Sequence, residues 1–289
     1  MRKLVGLLIC VVLFTGCTSD IEESINDNII KHVEIGDKTI RKSRDRDTEA
    51  VVCTDSYVWV DNTTESNTES IEIYNDTFEL KEDATIIDVP YSSQDNYPVG
   101  CELVSSSMLL NYYNIDISVD DMIDNKYIEL CKFTMTNDGV LVGGNPNLVF
   151  VGDPRDAHSY GCFSGAIISM FNNISKMTDY NVNAVDIGGT SIEDICHKYI
   201  DENIPVLIWA SINMEEIARD QSWIIYKEDG TSEMFTWTSG EHCLVLVGYD
   251  SDNYYFNDPL KGKAVGYSRD IVEMRYAELG FQSIMISVT

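Results

Sequence analysis

The chain is short of positive charge: 20 lysines and arginines stand against 48 aspartates and glutamates, for a formal net charge of -28. A surface this acidic repels nucleic acid and anionic lipid headgroups, so a polyanion binder is excluded. Histidine is scarce too, with only His32, His158, His197 and His242. No HExxH and no CxxC pattern occurs. A zincin, a zinc ribbon and a thioredoxin-type redox pair are therefore not expected, and no metal or other cofactor is. Internal repeats are missing, and so is any apolar run after the N-terminal stretch that could cross a membrane. What remains is globular: 44% of residues are hydrophobic and 10% aromatic, enough for a substantial core in 289 residues.

The first residues read as an export signal. Arg2 and Lys3 precede "LVGLLICVVLF", an apolar stretch too short to span a bilayer comfortably. "LFTGC", residues 13–17, resembles a bacterial lipobox, in which small residues precede a cysteine that is lipidated and becomes the new N-terminus. Phe14 stands where leucine is usual. The expectation is a signal peptide over 1–16, a lipid on Cys17, and a protein held to the cell membrane on its extracellular side. Residues 17–84 read as an acidic spacer, with "RKSRDRD" and "DNTTESNTES" as its most polar stretches. Two short β-type runs, "YVWV" at 57–60 and "IEIY" at 71–74, leave room for a small hairpin or prosegment. If Cys10 leaves with the signal, six cysteines remain besides Cys17: Cys53, Cys101, Cys131, Cys162, Cys196 and Cys243. Cys101 is expected to be free. Spacing does not fix the state of the other five.

Residues 85–289 carry the folded pattern. "TIIDVPY" is a short strand, and "CELVSSSMLLNYY" a helix with Val104, Met108, Leu109 and Tyr112 on one side. "SVDDMIDNKY" and "SIEDICHKYIDEN" are helices capped by Ser118 and Ser191, and "CFSGAIISMFNNI" is a third apolar helix. "PVLIWASI", "HCLVLVGYD" and "NYYFNDP" are β-type runs separated by turns. Helices followed by strands point to an α+β domain, a helical lobe on an antiparallel sheet lobe.

One cysteine has an unusual position. Cys101 follows "QDNYPVG" and opens an apolar helix. A thiol becomes nucleophilic when ionised, and a helix N-terminus or a nearby imidazolium favours the thiolate. Of the four histidines, His242 suits that role, because it leads an apolar strand and so sits at a sheet rim. The following strand ends at Asp258, before Pro259, and the two strands form an expected hairpin. Asp258 can then orient the imidazole, while Asn257 points to the opposite face. Gln94, in the loop before Cys101, can donate to a developing oxyanion together with the Cys101 N–H. The loop from Gly139 to Gly161, carrying Asn145, Asn147 and Tyr160, is expected to form one cleft wall. The strand pair carrying Trp223 and Trp237 is expected to form the other.

The stretches "VPYSSQDNYPVGCELVSSSMLLNYY", "NPNLVFVGDPRDAHSYGCFSGAI", "IPVLIWASINM" and "HCLVLVGYDSDNYYFNDPLKG" resemble the papain-like cysteine peptidases. Within these, they are most similar to the bacteriocin-leader (double-glycine) peptidase-like domains. The resemblance covers about two-thirds of the chain, from Val89 onward. It implies a papain-like fold with Cys101 as nucleophile, His242 as base and acid, Asp258 as orienter and Gln94 as oxyanion donor. The implied partner is a peptide or protein substrate. A non-catalytic binding module of the same fold and a transamidase using the same groups stay open, as does the oligomeric state.

Overall fold

The computed structural model describes residues 84–289 other than 228, together with the backbone of four strands between residues 32 and 60. The expected signal peptide, Cys17, the run at 71–74 and the side chain of Cys53 lie outside the described residues. The chain divides into two compact units, Met1–Thr77 and Phe78–Thr289.

In the first unit, β1 (His32–Ile35), β2 (Lys38–Asp45), β3 (Thr48–Cys53) and β4 (Ser56–Val60) form an antiparallel meander in chain order. The expected run at 57–60 falls in β4.

The second unit starts with β5 (Thr85–Ile86), a tight loop, and α1 (Cys101–Tyr112). Then come α2 (Val119–Asp124), β6 (Leu130–Cys131), β7 (Thr134–Met135), β8 (Leu141–Val142) and β9 (Phe150–Val151). Next are α3 (Ser164–Met177), β10 (Val182–Asp186) and α4 (Ile192–Ile195), which widens into a π-turn over Cys196–Ile200. The strands β11 (Val206–Ser211), β12 (Ala218–Tyr226), β13 (Ser232–Ser239), β14 (Glu241–Tyr249), β15 (Asn253–Asp258) and β16 (Gly262–Ser268) follow. Finally α5 (Arg269–Glu278) separates them from β17 (Ser283–Val288).

The main sheet has the order β10-β17-β11-β14-β15-β16, antiparallel throughout, with β5 added against β14. A smaller sheet, β13-β12-β8-β7, and a parallel pair, β6-β9, flank it. Helices do not all precede strands as the sequence suggested: α5 follows β16, because Ser268 and the polar "RDIVEMRYAE" break the strand pattern late. Every residue of β11, and all of β14 except Tyr249, is buried, so neither face of these strands meets solvent. That explains their unbroken apolar runs, where a half-exposed strand would alternate. Both α1 and α5 pack on β11.

Helix α1 is enclosed rather than one-sided: Cys101 through Leu110 are all buried, against β14, β11, α2 and α3. A helix apolar all round belongs inside. Its serines are the close-packing positions, and Ser105 Oγ donates to the Cys243 carbonyl of β14 at 2.9 Å. The start of α1 has no side-chain cap. Gly100 is required there by crowding, since a Cβ would stand 2.7 Å from the Tyr97 Cβ. By contrast, Ser118 and Asp121 cap α2 reciprocally, each side chain accepting the other's backbone N–H at 3.0 Å. Among the described residues, no helix is long and apolar enough to cross a membrane.

Candidate active site

Strand register brings the distant residues together. In the β14–β15 ladder Val245 faces Asn257. One step further sets Asp258 opposite Leu244, on the same face as His242 and diagonal to it. His242 Nε2 lies 2.8 Å from Asp258 Oδ1, and both side chains are almost wholly buried, at 2% and 1% exposed. Asp258 is well supplied with donors. Its Oδ2 accepts from Tyr267 Oη at 2.6 Å, and its Oδ1 also accepts the Leu260 N–H at 2.9 Å, in the turn that Pro259 begins. Burial alone would push this carboxyl up. The hydrogen bond and charge of His242, with Tyr267 and Leu260, outweigh it and hold Asp258 below the usual carboxylate value. Partial burial, then the charge and hydrogen bond of Asp258, push the Tyr267 hydroxyl strongly up.

With Nε2 committed to Asp258, Nδ1 is the imidazole nitrogen left for other chemistry. Asn257 faces elsewhere, donating to the Val89 carbonyl and accepting from the Ala264 N–H, both at 3.0 Å. It pins loops and takes no part with His242. His158 and His197 are exposed and pair with Asp156 and Asp201.

Cys101 is the first residue of α1 and is free, as are Cys131, Cys162, Cys196 and Cys243. Its Sγ accepts the Cys243 backbone N–H at 3.4 Å and donates to Glu102 Oε2 at 3.3 Å. In this arrangement the helix start does not lower the thiol. Burial, then the carboxylates of Glu102 and Glu241, push it well above its ordinary value, against the one N–H that favours the thiolate. Glu102 is fully buried; its Oε1 accepts the Cys162 N–H at 2.5 Å. Burial drives its carboxyl up to about 7, against that bond and others that favour the charge. Burial and Glu102 drive Glu241 well up too.

Gln94 is buried, and its backbone N–H donates to the Pro259 carbonyl at 3.0 Å, which ties the Gln94 loop to the strand end carrying Asp258. Its Nε2 makes long contacts to the Tyr97 and Pro98 carbonyls, 3.3 and 3.5 Å, and Oε1 is buried without a partner.

A cleft of about 210 Å³ is lined by Gln94, Cys101 and His242, with Pro98, Val99, Tyr160, Ile212, Trp237, Glu241 and Leu260 among its other residues. The expected walls are rearranged. Tyr160 and Trp237 do line the cleft, but they lie edge-to-face 5.6 Å apart, on one side of it together. Trp223 is wholly buried behind them, its indole N–H donating to the Gly144 carbonyl. Asn145 and Asn147 do not line the cleft; Asn145 Oδ1 instead accepts the Asn147 N–H at 3.0 Å within its own turn.

Glu102, Glu241 and Tyr267 were missed in the sequence. The first two adjoin Cys101 and His242, and that adjacency was the available signal. An acid in a first helical turn or beside a turn glycine ordinarily faces water, so the sequence pattern does not single it out.

A family model, that of the Peptidase_C39 like family, matches residues 86–284. The uncharacterized protein YvpB of Bacillus subtilis (strain 168) is 26% identical over 224 residues, covering 76% of this chain and 83% of its own. A crystal structure of a Bacillus anthracis protein assigned to the C39-like peptidases superposes with a TM-score of 0.57 at 29% identity, covering 70% of this chain and 96% of that one.

Proposed function

The chain belongs to the Peptidase_C39 like family, and from that premise we propose that it cleaves peptide or amide bonds through an acyl-enzyme on Cys101. The observation that carries this reading is the buried His242–Asp258 pair, 2.8 Å apart, whose His242 lines a cleft together with Cys101 and Gln94. His242 Nδ1 takes the thiol proton as Sγ attacks the carbonyl carbon. The imidazolium this creates is stabilised by Asp258, whose carboxylate is already held in its charged form. The oxyanion is met by the Cys101 N–H at the start of α1 and by the Gln94 amide, which exchanges its long contacts to Tyr97 and Pro98 for the substrate oxygen. His242 returns the proton to the leaving amine, then takes one from water to release the acid product and restore the thiol.

Burial and the neighbouring carboxylates favour the neutral thiol, so His242 takes its proton as the attack occurs. The expected lipid on Cys17 would place this chemistry at the outer face of a cell membrane, on peptide or protein substrates. Transfer of the acyl group to an amine uses the same groups. A binding module would use the cleft without turnover.

The test is digestion of a peptide library by the wild-type chain and by Cys101→Ala and His242→Ala, read by mass spectrometry with and without added amine. Cleavage by the wild type alone supports a peptidase. Amine adducts would make it a transamidase. Equal spectra from all three proteins would end the catalytic reading.

A further inference from the structure

Beside Cys101, at the floor of the cleft, lies a pair of buried acids. Glu102 and Glu241 are 0% and 7% exposed. The Cys101 sulfur and one carboxylate oxygen of each glutamate lie within 4.8 Å of one another. Among the described ion pairs, none involves either glutamate. Glu241 Oε2 is buried and has no hydrogen-bond partner. A buried carboxylate oxygen left in that state is costly, and either a proton or a cation relieves it. The glycine at 161 keeps the space open. A Cβ there would stand 2.4 Å from Glu102 Oε1 and 3.2 Å from Glu241 Oε1, so a side chain would fill the gap between the two carboxylates.

We propose that Cys101, Glu102 and Glu241 form a binding site for a thiophilic divalent cation of the zinc class, which silences the chain by occupying the Cys101 sulfur. The site stands on this geometry alone; its effect on turnover rests on Cys101 being the nucleophile. One sulfur and two oxygens suit zinc, whereas calcium and magnesium seek all-oxygen shells. Zinc bonds of about 2.0–2.3 Å in a tetrahedron set ligand atoms about 3.6 Å apart. Three atoms already within 4.8 Å close on the ion with side-chain shifts on the order of 1 Å. Cys101 and Glu241 both line the cleft, which gives the ion an entry and leaves its fourth position to water. Binding forms one metal–sulfur and two metal–oxygen bonds and sends the thiol proton, and any proton held by the two carboxyls, to solvent. Nothing is oxidised or reduced. A sulfur so bound cannot attack a carbonyl until the ion is withdrawn.

The experiment uses the reduced, full-length chain. Cobalt(II) is added as a spectroscopic probe, and zinc(II) is titrated against iodoacetamide labelling of Cys101. The expected result is a thiolate-to-cobalt charge-transfer band that Cys101→Ser lacks, and labelling slowed at least tenfold by zinc and restored by a chelator. Apparent affinity should fall at least tenfold in Glu241→Gln and in Glu102→Gln. Glutamine at 102 keeps an acceptor for the Cys162 N–H, and Glu241→Gln removes a carboxylate whose Oε2 has no partner to lose, so the two variants guard against misfolding. No band and no protection in the wild type would overturn the proposal. So would a band and protection unchanged in both glutamine variants, which would put the ion elsewhere. Hydrolysis by the metal-free wild type is scored separately: its absence with the cobalt band present defeats the peptidase reading and leaves the site standing.

Discussion

The backbone N–H of Cys243 points at the sulfur of Cys101 across 3.4 Å. The ladder between β14 and β15 begins only at Val245, so no strand partner reaches this N–H. On the other side, the paired Trp209 sends its own N–H to the Gln282 carbonyl of the β17 flank, so β11 makes no claim on it either. The first residue of α1 takes the place a neighbouring strand would occupy. The position of the Cys101 sulfur is thereby set by where a β-ladder stops, one residue from His242.

Asp258→Asn keeps the shape of the orienting group but removes its charge. The variant is expected to fold and to lose roughly 10²–10⁴-fold in kcat with a smaller change in KM, the range for disabling a general base. Steady-state kinetics on a cleaved library peptide measure it. An unchanged kcat would remove Asp258 from the mechanism.

Asp258 also links stability to acid. Its folded-state pKa is depressed, so its contribution is fully present above the unfolded value of about 3.9 and is lost as pH falls through the lower folded value. Urea midpoints should therefore drop more steeply below about pH 4 in the wild type than in Asp258→Asn. Tyr267→Phe, which removes the 2.6 Å bond to Oδ2, should cost about 1–3 kcal/mol at neutral pH and lessen the acid dependence. Parallel pH curves in all three proteins would contradict this.

Gln94→Ala should reduce kcat by about 10²–10³-fold, the usual cost of one oxyanion donor. Its far-ultraviolet spectrum should stay native, because the bond from the Gln94 backbone N–H to the Pro259 carbonyl survives the substitution. A rise in KM alone would show that Gln94 only holds substrate.

Gly161→Ala drives a methyl group to 2.4 Å from Glu102 Oε1. About 1–3 kcal/mol of destabilisation is expected, as for other overpacked sites. Combining it with Glu102→Ala should recover part of the loss; a double-mutant cycle in urea reads the coupling. Additive losses would mean that the two residues do not compete for space.

The parts of the site readable in the sequence were those with a local signature. Cys101 opens a helix after a crowded turn, and His242 and Asp258 sit at the ends of adjacent apolar strands, so period and turn chemistry were enough to pair them. Glu102 and Glu241 gave no such signal, because their burial comes from the packing of α1 on β14 and from Gly161, contacts between residues far apart in sequence. The same limit applied to α1. The sequence shows Val104, Met108, Leu109 and Tyr112 on one side, whereas Cys101 through Leu110 are buried all round and Ser105 bonds the Cys243 carbonyl of β14. Trp223 and Trp237 showed as aromatics of a strand pair, but which of them faced the cleft depended on the register that sets Trp223 against Phe235.

Strand β17, the last in the domain, lies between β10 and β11 inside the main sheet. Until Ser283–Val288 has been made, a growing chain therefore lacks the strand that joins the edge strand β10 to the rest of the main sheet. Everything up to α5 can emerge and still lack the strand that joins β10 to the strands bearing His242 and Asp258. Synthesis order alone thus makes β10 the last strand to join the sheet, although it is made well before the strands that carry His242 and Asp258.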